Sequence, residues 1–427
     1  MGNRVVVTGL GTLAPNGVGT ADFLAGIKSG RSGIKFIKEL KDLNFGCQIG
    51  GFPDLSVHPF TGILKNYGIP ISTSALTFAC LAAMEAWDDA GLNIPSPGNE
   101  LVNYDAGIII STGIGNSEIM AEKISPLLAA KLPKRLGGRT MEQVMISSPS
   151  AFLSGVFALG NQCLTISNAC AGGIDAVIEG FERIKSGKAE KMLVGGTEGF
   201  SPYLFAPMDA TRIPTRNYND NPQAGCRPMS KTASGFVFGS GAGVLFLENL
   251  DSALQRGARI YCEITGGSTN SGGHRHGGSM TAYNPQGVVK CLVDAIEDAG
   301  ITPDKIDAVS GHLTATKADP SEIALWKSVI KPYRNDFPYI NALKGMTGHC
   351  FGASGALETI ACALQIHNNF IHPSINCEDL HPDIEKEIGF QAIPFVCIDN
   401  FEVNYFANAS FGFGDVNACV IMNKFNT

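Results

Sequence analysis

CLTISNACAGGIDAV, residues 163–177, runs from a short β-branched segment through a glycine-rich turn into apolar residues at helical spacing. Ile174, Val177, Phe181 and Ile184 recur every three or four positions, Asn168 is placed to cap the start, and Lys185 and Gly187 supply a stop. A strand over residues 163–167 and a helix over 171–185 follow from this pattern. A second stretch, PYINALKGMTGHCFGASGALETIACAL at residues 338–364, has the same order of strand, glycine-rich turn and helix. Each half then closes on a glycine-rich strand segment, GFVFGSGAGVLFLENL at 235–250 and ANASFGFGDVNACVIM at 407–422. Strand-to-helix turns with glycine also recur in unrelated α/β chains. The shared order of two features nonetheless points to a duplicated α/β unit joined near residues 253–258. Residues 1–255 then form a first half carrying Cys170, and residues 256–427 a second half carrying His312 and His349.

Outward from these segments, β-branched runs alternate with helical patterns, which indicates an α/β architecture with covered sheets. Further strands are expected at residues 4–8, 106–111, 191–194, 243–248, 260–266, 306–310 and 418–422, and further helices at 72–90, 284–298, 320–329 and 352–365. A chain of 427 residues with 44% hydrophobic and 17% charged residues is long and apolar enough for a large core. Its net charge of -7 argues against nucleic-acid binding. No stretch approaches the ~18 uninterrupted apolar residues of a membrane span, and the start MGNRVVVTGLGT lacks the apolar core of a signal peptide. A soluble, cytoplasmic protein is expected. The 12 cysteines include no C-x-x-C pair and sit mostly in apolar runs, so buried thiols are expected, not a disulfide framework. In KLPKRLGGRT, residues 131–140, the cluster of Lys131, Lys134, Arg135 and Arg139 is either a solvated loop or a landing place for an acidic partner.

Cys170 falls in the first turn of the expected helix, where the dipole and backbone N–H groups favour thiolate and so a nucleophile. Small neighbours Ala169, Ala171, Gly172 and Gly173 leave room for a substrate. His349 lies in a glycine-rich turn in which Thr347 is placed to cap a helix, and His312 follows the expected buried strand at 306–310. Imidazoles at strand ends suit acid-base work or charge stabilisation. Lys344 and Glu358 flank His349 as either a buried orienting pair or an exposed, energetically minor one. Around Phe411 and Phe413, Gly412 and Gly414 give the backbone freedom to aim an N–H at an oxyanion, or merely to turn.

TISNACAGG, NPQAGCRPMSKTASGFVFGSGAG, SGHLTAT, KGMTGHCFGASGALE and SFGFG, in this order and spacing, resemble the elongating β-ketoacyl-acyl-carrier-protein synthases of the thiolase superfamily over nearly the whole chain. The resemblance implies a thiolase-like fold of two pseudo-repeated halves in α-β-α-β-α layers. It implies decarboxylative Claisen condensation of an acyl thioester with malonyl-acyl-carrier protein, in fatty acid or related polyketide or polyene biosynthesis. By position, Cys170 corresponds to the acyl-accepting nucleophile, and His312 and His349 to the pair that assists malonyl decarboxylation. Lys344 corresponds to the supporting lysine, Glu358 to its acidic partner and Glu322 to a further acid near the site. Phe413 matches a gating residue whose N–H joins that of Cys170 in an oxyanion hole, with Phe411 beside it at the substrate. Thr314 and Thr316 match threonines that bind the pantetheine arm. The implied partners are an acyl-carrier protein bearing phosphopantetheine and a second copy in a homodimer, or a related subunit in a heterodimer. No metal or cofactor is implied.

The departures surround the entrance. Leu313 replaces a glycine, Lys317 stands where proline is usual in a loop one residue shorter than the common one, and Asp415 and Val416 replace glycine and threonine. A specialised acyl substrate fits these changes, with Ile119, Phe200, Phe205 and Met208 as candidate pocket residues. Two alternatives share the fold. A chain-length-type partner subunit would have lost the nucleophile, which is present here. A thiolase-like acyltransferase of the degradative kind would carry a C-terminal C-x-G cysteine, whereas Cys419 lies in NACVIMN. A cysteine hydrolase would need one histidine with an orienting Asn or Asp, and would release free acid without a malonyl substrate.

Overall fold

The computed structural model describes residues 2–62, 64–68, 73–98, 100–273, 280–281 and 283–426. The elements that position the site are β1 (Val5–Ala14), α1 (Ser74–Asp89), β2 (Ala106–Ser111), β3 (Cys163–Ile166), α2 (Gly172–Lys185), β4 (Lys191–Glu198), α3 (Pro202–Ala210) and β5 (Gly241–Asn249) in the first half. The second half contributes β6 (Cys262–Ser271), α4 (Pro285–Asp298), β7 (Ala308–Ser310), α5 (Asp319–Ile330), β8 (Tyr339–Asn341), α6 (Ser354–Asn368), β9 (Tyr405–Gly412) and β10 (Val416–Asn423). These strands follow one hydrogen-bonded path, β8-β7-β9-β10-β6-β1-β5-β4-β2-β3.

The path is symmetric about the antiparallel β1–β6 pair, in which Val5 faces Ile264. In each half the first strand is central, the last strand lies beside it, then the fourth, the second and, at the edge, the third. Pair directions repeat as well: the outer pairs are parallel in both halves and the inner pairs antiparallel. The duplication expected from two similar strand-turn-helix segments is therefore present as topology.

Helices supply the remaining layers. α1 covers β1 and β5 on one outer side, and α4 covers β6 and β10 on the other. Between them α2 and α6 pack on each other and touch strands of both halves. Every residue of β1 is buried, including those of VVV, because helices lie on both faces of the sheet. A Cβ at Gly173 would lie 2.6 Å from the Ala356 nitrogen, so glycine here sets how closely α2 and α6 approach.

The expected elements fall on observed ones with shifted ends. Ser72, where the first helix was expected to begin, lies outside the described residues; α1 starts at Ser74, and the Thr73 hydroxyl accepts from the Leu76 N–H at 3.3 Å. The segment at 407–422 is not one strand but a hairpin of β9 and β10, in register from Tyr405–Asn423 to Gly412–Val416. Its turn carries Phe413, Gly414 and Asp415, and the positive φ of the last two reverses the chain between the strands. Among the described residues no helix is long and apolar enough to cross a membrane.

Candidate active site

β3 ends at Ile166, and the chain enters α2 through a single 3-10 turn, Ala169–Ala171. Ala169 takes a φ of 47°, a left-handed conformation tolerated here with only a methyl side chain, and so presents Cys170 on a tight elbow. Asn168 does not cap the helix as expected: its amide donates to Asp175 within α2, and no side-chain cap forms. The stop is as expected, with Gly187 at φ 73° donating its N–H to Ile184 at 2.9 Å. The β9–β10 turn lies over the elbow, where a Cβ at Gly412 would sit 3.1 Å from the Asn168 carbonyl oxygen. From this turn the Phe413 N–H reaches the Cys170 sulfur.

The second half brings the imidazoles. His349 Nε2 lies 3.0 Å from Cys170 Sγ, and the His312 and His349 rings are 5.5 Å apart at 81°. Cys170 Sγ and one ring nitrogen from each histidine lie within 4.8 Å of one another. Thr347 is not the cap of a following helix. It closes a one-turn helix, Lys344–Thr347, and α6 starts only at Ser354, after a separate 3-10 turn. His349 is therefore held between two helical turns.

Their partners define the tautomers. The Phe351 N–H donates to His349 Nδ1 at 3.1 Å, with the Ser354 hydroxyl 3.0 Å from the same atom. Lys344 Nζ lies 3.4 Å from His312 Nδ1, and an ammonium only donates. Both Nδ1 atoms thus accept, which leaves the proton of each neutral ring on Nε2. Burial, and after it the Lys344 charge, hold both imidazoles well below their usual pKa. Lys344 is itself paired with Glu358, each side chain 1% exposed, so this is the buried pair and not the solvated one.

Burial pushes the Cys170 thiol up to about 12, although the Lys344 charge and the Phe413 N–H pull the other way. This corrects the expectation of a resting thiolate. A helix terminus contributes about 0.3–1 kcal/mol, up to ~2 in partly buried geometries, whereas removing a thiolate from water costs several. Desolvation outweighs the helix terminus and favours the thiol over the thiolate.

Glu322 stands behind the loop of His312, accepting the N–H groups of His312 at 2.7 Å and Leu313 at 2.8 Å. Asp319, which sequence reasoning passed over, accepts from the N–H groups of Thr314, Ala315 and Met229 at 2.9–3.1 Å. Its place in the first turn of α5, just before Pro320, was the available signal. Thr314 and Thr316 oppose their hydroxyls at 3.0 Å, and the Phe411 ring lies 6.1 Å from that of His312. Phe351 stacks on His349 at 5.0 Å and Phe236 meets it edge-on at 5.5 Å. Phe236 lies in the segment NPQAGCRPMSKTASGFVFGSGAG, but its approach to His349 from so distant a stretch is set only by the fold.

One cavity of about 470 Å³ has Cys170, His312, His349, Thr314, Thr316, Glu322, Phe411 and Phe413 in its wall, whereas Lys344, Glu358 and Asp319 do not line it. Met208 lines it too, but Ile119, Phe200 and Phe205 do not. Phe205 instead stacks on Phe238 at 4.5 Å, in the cluster that also holds the cavity-lining Phe236 and Phe351. The basic segment at 131–140 is largely exposed and does not line the cavity.

Residues 2–253 match the beta-ketoacyl synthase N-terminal domain and residues 261–378 its C-terminal domain. The chain is 32% identical over 423 residues to 3-oxoacyl-[acyl-carrier-protein] synthase 1 of Escherichia coli K12, covering 99% of each. Among solved structures, the ishigamide ketosynthase/chain length factor matches at a TM-score of 0.87 and 30% identity over 100% of both chains. A type II polyketide synthase ketosynthase, in complex with its acyl-carrier protein and bound to the hexaketide, matches at 0.86 and 26% over 100% of both. With a duplicated fold, a thiol facing two imidazoles, and similarity along its whole length, the chain belongs to the beta-ketoacyl synthase family.

Proposed function

We propose that this protein is a 3-oxoacyl-[acyl-carrier-protein] synthase that lengthens an acyl chain by decarboxylative condensation with malonyl-acyl-carrier protein, in fatty acid or related polyketide or polyene synthesis. The observation that carries this reading is the meeting of Cys170 Sγ with two neutral imidazoles at one cavity wall. In the first step the Cys170 sulfur attacks the thioester carbonyl of the acyl carrier. The oxyanion takes the N–H groups of Cys170 and Phe413, the bond to the carrier sulfur breaks, and the carrier thiolate leaves with the proton given up by Cys170. Malonyl thioester then enters, and its carbonyl oxygen takes the Nε2–H donors of His312 and His349. Loss of carbon dioxide leaves an enolate, whose carbon attacks the acyl carbonyl and expels the Cys170 thiolate, which regains a proton from water. Neutral donors serve this step because negative charge grows on oxygen only in the transition state.

Lys344 and Glu358 position His312, Glu322 positions its loop, and Thr314, Thr316 and Phe411 contact the pantetheine arm and substrate. Incubation with acyl- and malonyl-carrier protein is expected to give a 3-oxoacyl carrier two carbons longer and one carbon dioxide. Release of free acid without malonyl consumption would instead indicate a hydrolase. The degradative thiolase reading is disfavoured because Cys419 is fully buried within β10.

The division at residue 255 assigns the nucleophile to one half and the histidines to the other, with the reaction at their junction. The protein works in the cytoplasm, where its free thiols stay reduced. It acts as a homodimer. The edge strand β8 is largely buried, but its counterpart β3 is half exposed, with Leu164 at 37%, and Met141, Met145 and Ile146 nearby in the chain are exposed too. An open edge beside apolar residues is a pairing surface. Solution scattering is expected to give twice the chain mass, and Leu164→Lys to shift it toward monomer. A wild-type chain that stays monomeric would favour a heterodimer with a related subunit.

A further inference from the structure

The cavity over Cys170 has two exposed cations in its wall, Arg212 and Lys317. They arrive from different halves of the fold. Arg212 sits in the turn after α3, with a φ of 61° and its N–H on Asp209 at 3.0 Å. Lys317 ends the loop that begins at His312. Along that loop burial falls steadily at the cavity-lining positions: His312 is buried, Thr314 and Thr316 are intermediate, and Lys317 is exposed. The loop therefore runs from the reacting sulfur to the cavity mouth.

Neither cation has a carboxylate partner among the described residues. Among the described residues Glu322 is the one acid in the cavity wall, and both of its oxygens are taken by backbone N–H groups. In a chain of net charge -7, the mouth of the cavity thus carries two uncompensated positive charges, and a cleft of one sign concentrates ligands of the other.

The malonyl carboxylate is not the matching anion, since it must react beside Cys170 and leave as carbon dioxide. The opposite end of a carrier-borne substrate is the phosphodiester that joins pantetheine to the carrier. We propose that Lys317 and Arg212 bind this phosphodiester, fixing how far the arm enters. This rests on the synthase reading above. The guanidinium offers a planar fork and the ammonium a point charge, and both make charge-assisted hydrogen bonds to phosphate oxygens. Lys317 takes this role at a position where the resembling synthases usually have proline.

The test compares two free thioesters of one acyl group, acyl-phosphopantetheine and acyl-pantetheine, by the rate at which each adds the acyl mass to Cys170 in intact-protein spectrometry. The wild type is expected to prefer the phosphorylated arm by about tenfold in kcat/KM at low salt, the preference shrinking as salt rises. The double variant Lys317→Ala/Arg212→Ala is expected to lose the preference, Lys317→Glu to weaken or invert it, and Lys317→Arg to retain it. Equal rates for both arms in the wild type would overturn the phosphate site and leave the synthase reading standing. A loss confined to carrier-borne substrate would assign the cations to the carrier's surface and overturn it as well. If neither thioester acylated Cys170, both readings would fall.

Discussion

Cys170→Ala removes acyl-enzyme formation entirely, and condensation falls by roughly four to six orders of magnitude, as when other covalent enzymes lose their nucleophile. The geometry explains why nothing substitutes. The other cysteine near the site, Cys350, is fully buried and turned away, its sulfur 3.7 Å from the Ser240 carbonyl oxygen. The substitution deletes one sulfur and leaves no buried charge unpaired, so the folded state survives. His312 and His349 remain, and carbon dioxide release from malonyl-carrier protein should persist without condensation. Intact mass after incubation with acyl-carrier protein checks the first claim, and a variant that still gained the acyl mass would refute the assignment. The raised thiol pKa adds a pH dependence. Because the sulfur rests protonated, its thiolate fraction and its alkylation by iodoacetamide should climb about tenfold per pH unit through the neutral range. A plateau near neutrality would mean that the thiolate already predominates there.

Lys344→Met is the second large effect, and it acts on stability and chemistry together. Glu358 would be left buried without its cation, and breaking a buried pair from one side costs about 3–5 kcal/mol. His312 would lose the donor at Nδ1 that keeps its single N–H proton on Nε2, so decarboxylation should slow even in molecules that fold. The double variant Lys344→Met/Glu358→Leu separates these consequences. With both charges gone the interior should recover most of its stability, while condensation stays low because the tautomer of His312 is no longer fixed. Chemical denaturation and condensation rates measured on the three proteins decide it. A single variant that lost less than about 1 kcal/mol, or a double variant that regained activity, would show that the pair does not hold the imidazole.

Much of this site could be read before the fold was known, for a local reason. The elbow at Cys170, the glycines around His349 and the strand before His312 are each short-range patterns, and backbone sterics and hydrophobic periodicity write such patterns into neighbouring residues. The same locality misled at Asn168 and Thr347. Both have cap chemistry in the right place, but each side chain found a tertiary or turn partner instead. Of the hairpin at 405–423, the strand at 418–422 and the freedom of Gly412 and Gly414 to turn are legible locally, whereas the pairing of the two strands is not.

The amino-acid sequence by itself determined the duplicated α/β plan, the positions of nucleophile and imidazoles, and the absence of a basic surplus, because these depend on residue type and short spacing. Only the tertiary structure decided the protonation of the site. Whether a thiol is ionised, which imidazole nitrogen carries the proton and whether Lys344 faces water or Glu358 depend on desolvation and on partners from opposite halves of the chain, and neither burial nor such distances exist until the layers have packed.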